Sequence, residues 1–272
     1  MKNILLIGNA LLDHLIYSKE PLLERCCNKV TTTINSGGSI RNIAHNLGLL
    51  GCPVHFLGVW GNDKHALAMK TELKSLGISC HGPSLQKSTP IFTAIFSDNI
   101  NLTLSGLTQD FLLDENYDFP YQDYDYLITN TTNEDLLEHI CKINPFIRIL
   151  FIGHLPAFRF NDNLDGIIIN RQEFFIEQED DDYPSTARTY PGWMIVTLDR
   201  AGLFFYKDLD QGYRTNTFEK EGGYPVGCGD ALAAGMVYQL QQGTAFVNAV
   251  DYAHQLAELV FQTPTVTIPK ER

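Results

Sequence analysis

Short apolar runs alternate with stretches of helical spacing along this chain. Ile4–Ile7, Val54–Val59, Tyr126–Thr129, Ile147–Ile152, Gly166–Ile169 and Met194–Leu198 read as strands. Ser39–Leu50, Lys64–Leu76, Asn133–Lys142, Asp230–Gln241 and Ala245–Phe261 read as helices. In the first of these, Ile40, Ile43, Ala44, Leu47 and Leu50 recur three and four residues apart and form one apolar face. The alternation predicts an α/β fold, a central and mostly parallel sheet with crossover helices. Val30–Ile34, Ile91–Phe96 and Asn101–Ser105 break the pattern: they are β-branched and partly alternating, with turn residues Asp98 and Asn99 between the last two. They predict a small antiparallel sheet beside the main one, inserted in a single domain over residues 1–272.

Composition narrows the partners. With 32 acidic against 20 basic residues the formal net charge is -12. Such a surface repels phosphate backbones and acidic membranes, so neither nucleic acid nor lipid is an expected partner. One small anion can still be held locally by backbone N–H groups at a helix start. Lys2 and Asn3 lead straight into the first strand, too short a run for a signal segment, and no apolar run has the length of a membrane span. The cysteines, at 26, 27, 52, 80, 141 and 228, form no C-x-x-C pair and no zinc spacing. Reduced thiols in a cytoplasmic protein are the expectation, with the sequons at Asn101 and Asn130 unglycosylated. The acidic run 177–182 reads as a solvated loop rather than a metal site.

Four polar sites fall at the ends of separate elements. In Gly227-Cys228-Gly229-Asp230 the glycines allow a tight turn into a helix, whose first N–H groups and dipole favour an anion. Asp230 in that first turn is a candidate base; the plain alternative is a helix cap. Gly37-Gly38-Ser39-Ile40-Arg41-Asn42 leads paired glycines into a second helix. Asp13 lies just beyond the first strand, and Asn170-Arg171-Gln172-Glu173 just beyond another. In an open α/β sheet those positions face the carboxyl edge, where ligands bind.

Together these segments resemble the ribokinase-like (PfkB) carbohydrate kinases. The matching residues are Gly8 and Asp13; Gly37, Gly38 and Asn42; Gly58, Gly61 and Asp63; Asn170 and Glu173; and Gly227, Gly229 and Asp230. They stand in the family's order and span nearly the whole chain. The wording at 37–47, with Arg41-Asn42-Ile43-Ala44 after the glycine pair, is similar to the pseudouridine kinase branch. The resemblance implies an ATP-dependent kinase, using Mg²⁺, that phosphorylates a primary hydroxyl of a sugar or nucleoside. Asp230 would be the base, with Gly227, Cys228 and Gly229 lending N–H groups to the transferred phosphoryl. Asp13, Gly37, Gly38, Arg41 and Asn42 would bind substrate. Asn170, Thr197 and Gly202 would bind nucleotide, and Glu173 with Asn170 would orient the metal through water. A β lid built from about 28–36 and 78–106 would exclude water, and the resemblance implies that such lids can pair between subunits in a homodimer.

Departures from the family pattern keep two alternatives open, a kinase of another sugar or nucleoside and a ligand-binding regulator. The polar triplet expected before the terminal Gly-x-Gly-Asp is Tyr224-Pro225-Val226, and Pro225 has no N–H to donate. Asp199 stands where the nucleotide segment usually has glycine, bringing an acid towards a triphosphate.

Overall fold

The computed structural model describes residues 3–178, 182–216, 223–263 and 265–269. Its elements run in chain order β1 (Ile4–Ile7), β2 (Leu11–Tyr17), β3 (Thr31–Gly37), α1 (Ser39–Leu49), β4 (Val54–Leu57), α2 (Lys64–Ser75) and β5 (Ser79–His81). The small-sheet hairpin β6 (Ile91–Phe96) and β7 (Asn101–Ser105) follows. The chain then passes through β8 (Tyr126–Thr129), α3 (Glu134–Ile143), β9 (Arg148–Ile152), β10 (Leu164–Asn170), α4 (Arg171–Gln178) and α5 (Tyr183–Ala187). It ends with β11 (Trp193–Thr197), β12 (Leu203–Lys207), β13 (Asp210–Arg214), α6 (Cys228–Gln241) and α7 (Phe246–Phe261).

A nine-stranded sheet has the order β13-β12-β11-β10-β9-β8-β1-β4-β5. It is parallel from β5 to β11, with β12 and β13 added antiparallel. The two-residue strand period divides its core. Ile4 and Leu6 join Ile40, Ile43, Leu47, Leu232 and Met236 on one face. Leu5 and Ile7 join Leu136, Ile140 and Phe174 on the other. Strands buried on both faces read as apolar runs, and that is why they were visible in the sequence. Helix α6 is buried without interruption from Ala231 to Val237, because α1, α7 and the sheet all pack on it.

The second sheet has the order β3-β2-β6-β7. Three of its strands were expected; β2 was not, and Asp13 lies within it rather than in a loop. The strand at Thr31–Gly37 also runs further than 30–34, so Gly37 ends a strand and Gly38 is the N-cap of α1. Within 78–106, Ser79–His81 pairs with β4 and belongs to the main sheet. Strand β4 stops at Leu57, before the expected Val59, where a side chain at Gly58 would meet the Gly8 carbonyl at 2.3 Å. In the acidic run, 179–181 lie outside the described residues, and Asp182 caps α5 by accepting from the Ser185 N–H.

Candidate active site

Two helix starts and one strand of the small sheet meet at a pair of carboxylates. Helix α6 begins at Cys228, two residues earlier than expected, so Asp230 is its third residue and Gly227 its N-cap. Gly227 has φ +90, and a side chain there would meet the Val266 carbonyl oxygen at 2.1 Å. Both facts require glycine. Asp230 does not cap its own helix. Its Oδ1 accepts from the Ser39 hydroxyl, and its Oδ2 accepts from Asn42 Nδ2 at 3.0 Å. Both donors lie on α1. Ser39 was in view in the sequence, between Gly38 and Ile40, but nothing in that spacing marks its hydroxyl as a partner of Asp230.

Asp13 stands on the facing strand. Gly37, its neighbour on β3, leaves room for it, since a side chain there would overlap the carboxyl at 2.1 Å. Asp13 accepts from the Gly38 N–H and from the Asn42 amide, and it is 4% exposed. Burial and the Asp230 charge push Asp13 up to about 7, against the pull of Arg41. Burial pushes Asp230 up to about 6, against its hydrogen bonds from Ser39 and Asn42 and the Arg41 charge. Carboxyl groups held this high change protonation near neutral pH.

Arg41, expected on the substrate side, lies behind Asn42 and is 1% exposed. Its Nη1 donates to Asn42 Oδ1 at 3.1 Å and its Nη2 is ion-paired with Glu72 of α2. Cys228, expected to lend its N–H to an anion, points that group at the Pro225 carbonyl at 3.4 Å, and its thiol donates to the Tyr224 carbonyl. Gly229 is unobstructed, with no atom within 4 Å of where a side chain would begin.

The expected nucleotide residues form a second group. Asn170 and Thr197 are register partners at the carboxyl ends of β10 and β11. Asn170 Oδ1 accepts from the Glu173 N–H at 2.8 Å and Glu173 Oε2 accepts from the Asn170 N–H at 3.3 Å, a reciprocal cap of α4. The Glu173 carboxylate lies over Gly153, each oxygen 3.6 Å from where a side chain there would begin. Gly202 closes the turn into β12 by accepting from the Leu198 N–H at 2.8 Å. Asp199 accepts from Gln172 Nε2 at 2.8 Å, which turns the unexpected acid towards α4. Asp63, matched to the family by sequence, is a structural anchor: it caps α2 and accepts from the N–H and hydroxyl of Thr89. Among the described residues no three His, Cys, Asp or Glu side chains cluster to hold a metal.

Asp13, Leu15 and Tyr17 share one face of the small sheet, with Phe92, Ala94 and Phe96 as their register partners on β6. Tyr17 stacks on Phe96 at 5.2 Å and meets Tyr224 edge-on at 5.7 Å. An aromatic wall therefore runs from beside Asp13 to the segment before α6. Sequence reading missed it because β2 was not recognised; the alternation of Asp13, Leu15 and Tyr17 was the available signal.

Residues 1–142 and 167–272 match the family described as pfkB family carbohydrate kinase. The chain belongs to that family. A PfkB-family kinase is a phosphotransferase acting on a hydroxyl, here of the sugar or nucleoside class. Among curated proteins the chain is 24% identical over 305 residues to a guanosine-inosine kinase of Exiguobacterium acetylicum, covering 99% of this chain and 98% of that one. Among solved structures it resembles a ribokinase from Cryptococcus neoformans in complex with ADP: TM-score 0.79, 16% identity, 99% and 97% of the two chains covered. It also resembles a nucleoside kinase from Methanocaldococcus jannaschii: TM-score 0.77, 16% identity, 98% and 93% covered. At these identities the structural likeness establishes the ribokinase-like fold. No helix among the described residues is long and apolar enough to cross a membrane.

Proposed function

We propose that this PfkB-family kinase transfers the γ-phosphoryl group of ATP to the primary hydroxyl of a ribonucleoside. The observation that carries this reading is the Asp13–Asn42–Asp230 constellation with an aromatic wall beside Asp13. Asp230 takes the hydroxyl proton as the oxygen attacks the γ-phosphorus. The bond from that phosphorus to the β–γ bridging oxygen breaks, and ADP leaves. The N–H groups of Gly229 and Asp230 would face the charge that develops, that of Cys228 being turned to Pro225. Asp13 accepts from ribose hydroxyls, and Tyr17, Phe92 and Phe96 offer a flat apolar surface of the kind a base stacks on. The curated relative acts on guanosine and inosine by its name, which agrees with a purine or similar base. The pseudouridine reading rests on the wording of residues 37–47 alone.

Mg²⁺ fits this set as a nucleotide-borne ion met through water, since the Glu173 carboxylate already holds an N–H and no direct ligand cluster exists among the described residues. When bound, it neutralises phosphate charge. Asn170 and Glu173 would orient its water shell, and Thr197 and Gly202 would line the nucleotide. The small sheet serves as a lid in this reading. Its outer face carries exposed Ile34, Leu102 and Leu104, which supports pairing with a second copy.

The alternative, a ligand-binding regulator, is favoured by Val226 and Tyr224, which put an apolar contact where the family has a polar triplet. An ATP-consumption screen of ribonucleosides and free sugars with Mg²⁺ separates the two. Turnover of a ribonucleoside, with free ribose and 2-deoxy analogues much poorer, is the expected result. A folded protein that neither consumes nor binds ATP at millimolar concentration would leave the regulator.

A further inference from the structure

The Asn42 side-chain amide is engaged at both of its N–H groups and at its oxygen. Its two N–H groups serve Asp230 and Asp13, and its oxygen accepts from Arg41. A guanidinium has only donors, so Arg41 accepts just one orientation of that amide, the one that turns both N–H groups to the carboxylates. Arg41 touches neither carboxylate in the hydrogen-bond network. It is also nearly inaccessible, with Glu72 behind it and His45 Nε2 3.2 Å from the same glutamate. A buried arginine is costly unless its charge is used. Here its charge acts on two buried carboxylates at once.

We propose that Arg41 is a positioning residue, not a substrate ligand: anchored by Glu72, it locks the Asn42 amide between Asp13 and Asp230 and supplies the positive charge that lets the two buried carboxylates ionise side by side. This rests on the reading of Asp230 as the base, and it adds how that base is kept ionised. The titratable and charged groups facing the pair are Asp13 on β2, Arg41 on α1, and Cys228 and Asp230 on α6; behind Arg41 stand His45 on α1, Glu72 on α2 and Cys80 on β5. Burial pushes the Cys228 and Cys80 thiols up to about 12 and about 11, so neither adds charge near neutrality.

The sign of each substitution follows. Arg41→Met removes the cation, so both carboxylates hold their protons to higher pH. Glu72→Gln removes the counter-charge behind Arg41, so its full charge acts on the pair and the carboxylates release protons at lower pH. Arg41→Lys keeps the charge and gives up the planar fork. The test is titration of the Asp13 and Asp230 carboxyl carbons by ¹³C NMR, assigned with Asp13→Asn and Asp230→Asn, alongside kcat/KM against pH. The expected result is a midpoint raised by about one pH unit or more in Arg41→Met, lowered in Glu72→Gln, and close to wild type in Arg41→Lys. At pH 7 the Met variant would then be about tenfold slower and recover towards wild type near pH 9. Equal midpoints in wild type and Arg41→Met, or an activity loss that is the same at every pH, would overturn the proposal. If Arg41→Met does not fold, opposite or absent shifts in Glu72→Gln decide instead. The NMR titration needs no turnover, so absence of kinase activity in wild type would defeat the function proposed above and leave this inference separately decidable.

Discussion

Asp230 has both its oxygens held, by Ser39 and Asn42, and its acidity set near neutrality, which is a different assignment from a helix cap. Asp230→Asn keeps the shape and hydrogen-bonding capacity on one side, so the fold is expected to persist. Its kcat is expected to fall by about 10²–10⁴, the usual share of a general base; steady-state kinetics beside circular dichroism check this. Asp13 carries a second consequence. Its folded value, about 7, lies above the ordinary aspartate value of about 3.9. Between those limits the folded state keeps a proton that the unfolded state releases, so stability falls as pH rises through that window. Asp13→Asn removes this burden. It is expected to stabilise the protein by about 1–3 kcal/mol at pH 8 and by little at pH 4.5, while activity drops. Urea denaturation at the two pH values measures it; a stabilisation that does not depend on pH would show that Asp13 is not the group responsible.

Element ends do two jobs in this molecule, and the two can be separated. The Asn170–Glu173 pair is a reciprocal cap of α4, a signature readable as such from N-x-x-E. Asn170→Ser retains a good N-cap, so its stability is expected within about 0.5 kcal/mol of wild type, whereas Asn170→Ala costs about 1 kcal/mol. If Asn170 also faces the nucleotide, both variants raise KM for ATP several-fold, and the serine variant does so without loss of stability. Asp63 is the opposite case, an anchor whose carboxylate is bonded to the start of α2 and to Thr89. Burial works against its ionised form, but hydrogen bonds from Ala66, Thr89 and His65 hold its carboxyl below the usual range. The stability it lends is therefore present above the unfolded value and lost as pH falls through the folded one. Asp63→Ala is expected to cost about 2 kcal/mol at neutral pH, from the lost cap and the lost bonds to Thr89. Chemical denaturation with unchanged denaturant dependence, and unchanged KM values in the surviving folded protein, is the check.

At the scale of the whole molecule, the small sheet is tied to the main body through the segment before α6 and the segment after α7. Leu15, Ala94 and Val266 form the buried centre of that contact, with Tyr17, Phe92, Phe96 and Val226 packed on it. Tyr224 adds the edge-on contact to Tyr17. The family's polar triplet has thus become an apolar clasp, and the position of the sheet and the turn at Gly227 become coupled. Tyr224→Ala is expected to speed hydrogen exchange of the β2 and β6 amides by up to about tenfold, the worth of an aromatic pair, while β8 to β10 keep their protection. Unchanged exchange in β2 and β6 would show that the clasp carries no such coupling.

The sequence by itself determined the α/β class and, to within a residue or two, most of the main-sheet strands and their crossover helices, because burial on both faces or on one helical stripe writes itself into local periodicity. It also marked Gly227 as a turn into a helix, which its positive φ bears out. Tertiary structure decided that the strand carrying Asp13 pairs between β3 and β6, which brings its carboxyl beside Gly37 and Asn42. It alone decided that Arg41 turns inward to Glu72, and that Ser39 and Asn42 reach across to Asp230. These are through-space matters of desolvation, charge and hydrogen bonding between opposite ends of the chain, and spacing along a sequence does not encode them.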